Sequence, residues 1–443
     1  MQYIRVTLVS LGCAKNLVDS EMIMGLLNEE GFSLTTNPAD ADVIIINTCG
    51  FIEAAKEESI AKILEMAQYK ANNCRLLLAA GCMAQRYGEQ LLNEIPEIDG
   101  LFGVNDVQGA VAAIRRGLTG EKVVLIKGEY GEREDAPRLL ATPSHTAFLK
   151  IAEGCDNHCT YCAIPAIRGS YRSRDSRFVL EEAKKLTADG VKELNLIAQD
   201  ITLYGMDRSG RLELPTLLHD LAAIPEVAWI RLLYAYPERL SPVIIDAVAQ
   251  VEKVCKYLDL PLQHGSDYIL RRMGRKMKAD KILTLLTTLR QQIPGIALRS
   301  SFIVGFPGEG EAEFQQLLDF LRAAQLDRVG FFAYSREEGT PAARFQKQVP
   351  PQVKEERLAR AIALQSAIVE KKQQQFINQV FTTIVEGKSA QAQDVSLTRT
   401  YMQAPEVDGY VRVQGTFKNG AFLNVRITGF DGYDLLGEPV TME

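Results

Sequence analysis

Residues 153–162 read EGCDNHCTYC, which places Cys155, Cys159 and Cys162 at the spacing C-x3-C-x2-C, directly after an apolar run at 147–151. Three thiolates on one short loop can hold three irons of a 4Fe-4S cluster, whose full ligation normally takes four cysteines. The fourth iron is then open to a substrate or cofactor. A structural zinc site is the alternative, with His158 as a fourth ligand, although C-x3-C is less usual there. Downstream, strand-like runs recur at 193–198, 229–234, 256–260, 297–304 and 328–333. Helical apolar spacing fills the gaps, as at 177–189 and 311–324. With 147–151 this makes six βα units, the pattern of a full or partial TIM-type (βα)6 barrel. A charged helix at 351–375 closes the region.

Upstream, strands are expected at 3–10, 42–47 and 75–80, and helices at 17–30, 53–68 and from about 84. The alternation predicts a Rossmann-like parallel sheet. Cys13 lies in SLGCAKN, Cys49 in INTCGF and Cys82 in AAGCMAQ, each just past a predicted strand and just before a predicted helix. In an open parallel sheet those strand ends line one edge, where ligands bind. Nearby helix N-termini would favour thiolates and an anionic cluster. The plainer alternative is three unrelated buried thiols. Cys74 and Cys255 have no such placement and read as structural, as do His145 and His219.

The final 70 or so residues change character. Short strands at 382–386, 409–413, 422–427 and 433–437 between Gly and Asp turns predict a small antiparallel β-barrel. The expected domains are 1–125, 141–372 and 373–443, with a charged, Gly- and Pro-broken linker at 126–144. The chain has 443 residues, 50 Lys and Arg against 56 Asp and Glu, and 47% apolar residues. That composition excludes a disordered chain, a collagen-like chain and a strongly basic nucleic-acid coat. Eight dispersed cysteines are too sparse for a disulfide scaffold and fit metal binding or reactivity better. No apolar run approaches the ~20 residues that span a bilayer. The LVSLGC stretch superficially resembles a lipoprotein cleavage site, but Arg5 interrupts the short segment before it. A cytoplasmic protein without membrane contact is expected.

The C-x3-C-x2-C loop with Tyr161 before its last cysteine resembles the radical S-adenosylmethionine (SAM) superfamily. The resemblance implies that SAM chelates the open iron and that the reduced cluster cleaves it to a 5′-deoxyadenosyl radical. Two cysteine triads on successive domains, followed by a barrel that resembles the TRAM domain, resemble the methylthiotransferase family over nearly the whole chain. This implies a second 4Fe-4S cluster on Cys13, Cys49 and Cys82 that delivers sulfur or methylthio. One SAM would donate methyl and another the radical.

The family acts on adenosines of transfer RNA or on an aspartate β-carbon of ribosomal protein S twelve. SLGCAKNLVDSE, NTCGFI, EGCDNHCTYCAIPAIRG, LPLQH, RSSFIVGFPGE and APEVDG resemble the ribosomal-protein branch. The transfer-RNA branch typically has Gln-Met where this chain has Ala14-Lys15, and Ser-Gly where it has His264-Gly265. Ser301 and Gly310 depart from the usual threonines, away from any ligand position. Charge agrees with this choice: residues 373–443 carry five Lys and Arg against eight Asp and Glu, a net −3, or −1 with Lys371 and Lys372 included. An RNA-binding barrel should be basic, whereas an acidic one suits a basic protein partner. Expected partners are S twelve, free or in the assembling small subunit, and a flavodoxin- or ferredoxin-like electron donor. The sulfur source is open, and a monomer is expected. The alternatives are a transfer-RNA methylthiotransferase and a non-catalytic zinc-containing ribosome- or RNA-binding protein.

Weaker candidates complete the set. Gln199 and Asp200, Gln263 and His264, and Gly305 follow barrel strands, where such barrels place their active sites. Gln199, Gln263, Gly305 and Tyr161 are expected at SAM, with ordinary loop polarity and a plain turn as the alternatives. Arg168, Arg172 and Arg174 follow the cysteine loop and can meet a carboxylate, unless they only form a solvated basic face.

Overall fold

A computed structural model describes residues 4–128 and 134–440. The first strand, β1 (Arg5–Ser10), starts two residues after the expected Tyr3, which lies outside the described residues. β2 (Ser33–Leu34), β3 (Val43–Thr48), β4 (Leu76–Ala80), β5 (Gly100–Phe102) and β6 (Val123–Leu125) complete a parallel six-stranded sheet of order β2-β1-β3-β4-β5-β6. β3 and β4 are buried along their whole length. That is why VIIINT and LLLAA read as continuous apolar runs rather than alternations. The order reverses between β1 and β3, so a ligand crevice is expected at their carboxyl ends. The two short strands β5 and β6 had no counterpart in the sequence reading, because three apolar residues carry no period.

The helices Ala14–Glu29, Glu53–Ala67, Gly81–Tyr87 and Ala110–Leu118 pack on this sheet. Gly81–Tyr87 begins three residues before the expected Ala84, so Cys82 stands inside its first turn. Ala14–Glu29 buries Val18, Ile23, Leu26 and Leu27, but also Lys15, Asn16, Asp19, Ser20 and Glu21. Those buried polar groups belong to a site rather than to a core, since burial without partners would be costly. Residues 129–133 of the expected linker lie outside the described residues. Its later part is not free: Arg138 pairs with Glu21 and Glu182, and the Ala141 amide donates to Glu21 at 2.7 Å.

The chain divides into two compact units. The first comprises Met1–Thr142, Ala152–Glu182 and Ser335–Ala343. It therefore contains the sheet above and the cysteine loop together, with β8 (Ala152–Glu153) and β9 (Arg172–Ser173) paired antiparallel beside that loop. The second comprises Pro143–Ile151, Ala183–Tyr334 and Arg344–Glu443. It starts with β7 (Thr146–Lys150) and continues with β10 (Glu193–Ile197), β11 (Trp229–Leu232), β12 (Val254–Gln263), β13 (Ala297–Val304) and β14 (Arg328–Ala333). These six lie in sequential order in one parallel sheet, the partial (βα)6 barrel.

In the same unit β15 (Val380–Lys388), β16 (Val395–Thr400), β17 (Val411–Gln414), β18 (Phe422–Asp431) and β19 (Asp434–Pro439) form a closed barrel around Val411, Val413, Val425, Ile427 and Leu435. β16 escaped an apolar reading because its buried positions are polar: Ser396, Thr398 and Thr400 on the face toward the barrel core and Arg399 on the opposite face are all buried. Arg399 is satisfied by Glu193 and Glu386, and Arg231 joins Glu193 at 3.0 Å. A second buried knot links Tyr257 to Asp408 at 2.6 Å and Arg299 to Asp259 at 2.9 Å and Asp408 at 3.2 Å. Among the described residues no helix is long and apolar enough to cross a membrane.

Candidate functional site

Cys13 caps Ala14–Glu29 just after β1, Cys49 follows β3, and Cys82 follows β4. Three adjacent strands thus deliver three cysteines to one edge. Close approach is built into the turns. Gly12, at φ +90, lies where an added Cβ would stand 2.8 Å from Cys49 Cβ and 3.1 Å from its sulfur. At Gly81, φ +87, a Cβ would stand 2.1 Å from Asn47 Oδ1. A side chain at either place would be strained and would push the strand ends apart.

Hydrogen bonds hold the same edge. Asn47 Nδ2 donates to Asn16 O and Ser20 Oγ, both at 2.8 Å. Asn16 Nδ2 donates to Leu11 O at 3.0 Å and Thr48 O at 2.9 Å. The Cys49 amide donates to Ser59 Oγ, which returns a bond to Cys49 O. The buried polar residues of SLGCAKN and INTC are therefore a scaffold for the thiols.

The other triad lies in the same unit. The Cys155 amide donates to Gly169 O at 3.1 Å, and the Asn157 amide approaches Cys155 Sγ at 3.4 Å. The Cys162 amide donates to Cys159 O at 3.1 Å. Cys155 is buried, Cys159 and Cys162 are half-buried, and His158 is exposed. Burial, then the charges of Cys159 and Cys155, push the Cys162 thiol up to about 12 against the Ile164 amide. Burial likewise raises Cys49, and it takes Cys82 to about 11 despite Arg168. At Cys13 desolvation is outweighed by Lys15, Arg168 and two amides, and the thiol is lowered. Within each set the thiols thus feel one another's charge. Among the described residues no group of three His, Cys, Asp or Glu side chains stands in metal-ligand geometry.

Arg168 was expected at a SAM or substrate carboxylate. Its guanidinium is instead buried in the first unit. It reaches Asn16 Oδ1 at 2.7 Å, Asp19 Oδ2 at 3.0 Å, Cys82 Sγ at 3.5 Å and Glu153 Oε2 at 2.8 Å. Burial opposes its charge, but Glu153, Cys82 and Asp19 overcome this and keep it protonated. Arg174 is engaged by Glu182 at 2.7 Å, and Arg172 by backbone carbonyls of Arg168 and Ser170. Neither forms a solvated basic face. A buried cation beside three thiols fits an anionic metal–sulfur cluster, and six cysteines in two sets of three fit two such clusters with one open iron each.

The second unit holds the strand-end candidates. Asp200 caps the turn after β10 through the Thr202 amide at 3.0 Å and pairs with Arg239 at 2.7 Å. Gln199 precedes it, and Tyr161 lies in the cysteine loop of the other unit. Gln263 ends β12 at φ +72, and Gly305 follows β13 at φ +71. The loops after β12 and β13 are tied by Glu309, the last residue of RSSFIVGFPGE, whose sequence context carries no sign of that role. Its carboxylate accepts from the Gly305 amide at 2.9 Å and from Arg357 Nη1 at 2.9 Å, and it faces His264 Nε2 at 3.1 Å. The Ser266 amide donates to His264 Nδ1 at 2.9 Å, which leaves Nε2 as the proton-bearing nitrogen. Cys74 and Cys255 are buried away from both triads' motifs, the former against Leu76 O.

Family models match three segments: Uncharacterized protein family UPF0004 at residues 5–103, the Radical SAM superfamily at 149–321 and the TRAM domain at 377–440. The radical SAM methyltransferase TsrM from Kitasatospora setae shares the fold with a TM-score of 0.56 at 15% identity, over 77% of each chain. The cobalamin-dependent SAM radical enzyme OxsB does so with a TM-score of 0.51 at 15% identity, over 84% of this chain and 56% of that one. Fold and cysteine loop together define a radical SAM enzyme, a transferase whose family implies a 4Fe-4S cluster and SAM.

A ribosomal protein uS12 methylthiotransferase RimO of Heliobacterium modesticaldum is 48% identical over 439 residues, 98% of this chain and 95% of that protein. The proteins of that name from Desulforudis audaxviator and Geobacter sulfurreducens are 48% and 46% identical, over 97% and 99% of this chain and 96% and 99% of theirs. The chain belongs to the RimO family of methylthiotransferases.

Proposed function

We propose that this protein methylthiolates the β-carbon of an aspartate in ribosomal protein S twelve. Cys155, Cys159 and Cys162 hold the radical cluster, and Cys13, Cys49 and Cys82 hold a second 4Fe-4S cluster for sulfur delivery. The observation that carries this reading is that both triads fall in one compact unit, where Arg168 reaches the Cys82 sulfur of one and Glu153, two residues ahead of Cys155, of the other. When bound, SAM and the reduced cluster supply a 5′-deoxyadenosyl radical for hydrogen abstraction, and a further SAM supplies the methyl group. The chain's own residues position these groups. Tyr161, Gln199, Gln263 and Gly305 contact SAM, and Glu309 holds the Gly305 and His264 loops in register. Buried Asn16, Asn47 and Ser59 keep the second triad's strand ends together. A flavodoxin- or ferredoxin-like protein supplies electrons. The proposed domains are 1–125, 141–372 and 373–443.

Barrel charge supports a basic protein substrate over RNA. Of its five cations, Arg399 is buried against Glu193 and Glu386, Arg412 pairs with Asp434 and Asp431, and Arg426 pairs with Glu438. Only Lys388 and Lys418 remain as exposed cations without a carboxylate partner among the described residues. Phosphate binding needs several such groups.

The test is anaerobic reconstitution followed by metal analysis, SAM cleavage and mass spectrometry of S twelve. About eight irons per chain are expected for two 4Fe-4S clusters. Cys155→Ala should abolish 5′-deoxyadenosine formation. Cys49→Ala should retain it and lose the mass gain on S twelve. Zinc without iron would overturn the enzyme reading, and modified adenosines in RNA with unmodified S twelve would replace the substrate.

A further inference from the structure

Arg168 does more than its salt bridges require. Asp19 and Glu153 already neutralise it, at 3.0 and 2.8 Å. Yet Nη2, the nitrogen that meets Asp19, also lies 3.5 Å from the Cys82 sulfur and 2.7 Å from Asn16 Oδ1, toward which the Cys82 thiol also points at 3.4 Å. Cys82 packs with Ala163 and Ile167, the latter the residue immediately before Arg168. Glu153 stands two residues ahead of Cys155, so a single guanidinium joins the loop of one triad to a thiol of the other. Arginine keeps its charge in any such pocket and offers its donors in a fixed fork.

We propose that Arg168 is a positioning residue for the second cluster: its charged N–H donor at the Cys82 sulfur sets the reduction potential of whatever cluster Cys13, Cys49 and Cys82 bind. The inference rests on the second-cluster reading above. Hydrogen bonds to cluster sulfurs and local charge are the levers by which a protein tunes such potentials, and outer-shell partners commonly orient ligands as well. A donor that withdraws electron density from the thiolate stabilises the reduced form. Removing it therefore lowers the potential.

The experiment uses the full-length chain carrying Cys155→Ala, Cys159→Ala and Cys162→Ala, so that any cluster formed belongs to the second triad. Iron and sulfide are measured after anaerobic reconstitution, and the potential by a redox titration followed by electron paramagnetic resonance. Arg168→Met is combined with Glu153→Gln, which conserves the pocket's net charge while removing the donor from Cys82. The expected result is a full complement of iron and a lower potential. Arg168→Lys keeps a cation but loses the fork, and is expected to fall between this variant and the parent.

An unchanged potential with full iron overturns the role of Arg168 and leaves the second cluster standing. A parent that takes up no iron overturns the second-cluster reading itself, and the inference with it. If circular dichroism shows that the Met variant does not fold, the Lys variant decides: a lowered potential upholds the proposal and an unchanged one overturns it.

Discussion

A methyl group at Gly81 would collide with Asn47 Oδ1 and would have to adopt φ +87. Gly81→Ala should therefore destabilise the N-terminal sheet by on the order of 1–3 kcal/mol, the usual cost of a strained backbone position. Thermal unfolding measures this. The same variant should lower iron uptake at Cys13, Cys49 and Cys82 more than at the other triad, because the carboxyl ends of β3 and β4 are what Gly81 brings together. Iron content in the chain lacking Cys155, Cys159 and Cys162 checks it. At this scale the sequence was legible where chemistry is local. Cys155, Cys159 and Cys162 lie within eight residues, and their spacing alone pointed to a cluster. Arg168 was legible as a charge but not as a destination, since its partners Asn16, Asp19 and Cys82 are 86 to 152 residues away.

Among elements, the joint between the partial barrel and the small β-barrel is made of buried charge. Burial alone would raise the Glu193 carboxyl, but Arg399 and Arg231 outweigh it and hold the group down at about 2. A carboxylate depressed in the fold contributes stability above its ordinary value near 4.5, lost as pH falls toward 2. The joint should therefore loosen over that window. Trp229, the chain's single tryptophan, reports this directly: it meets Phe422 of β18 edge-on at 5.1 Å. Its fluorescence should change as acid is added. Glu193→Gln leaves two buried guanidiniums short of a partner and should cost about 3–5 kcal/mol, seen as an earlier Trp229 transition at pH 7. This joint also explains the strand that sequence reading missed. β16 turns Arg399 out of the small barrel to Glu193 and faces its core with Ser396 and Thr398, so no apolar alternation marks the strand.

For the whole molecule, the acidic surface of the small barrel predicts how a basic protein would be bound. Asp394, Glu406, Asp431 and Glu438 are exposed. Neutralising Asp394→Asn and Glu406→Gln should slow association with S twelve severalfold at low salt and leave SAM cleavage unchanged, since rim charges act on the on-rate. Stopped-flow binding at two ionic strengths measures it, and the difference should vanish near 1 M salt, where the Debye length is about 3 Å.

Sequence alone carried the parallel sheet, the six βα units and the closing β-barrel, and it marked six cysteines by their placement beside expected strands, because apolar period and turn position are local quantities. Tertiary structure decided the rest. It grouped the cysteine loop with the N-terminal sheet rather than with the strand it follows. It turned Arg168 inward to Cys82 and joined Gly305 to His264 through Glu309. The physical reason is common to all three. A buried polar group must find its partner wherever the packing brings one within hydrogen-bond reach, and separation along the chain does not record that distance.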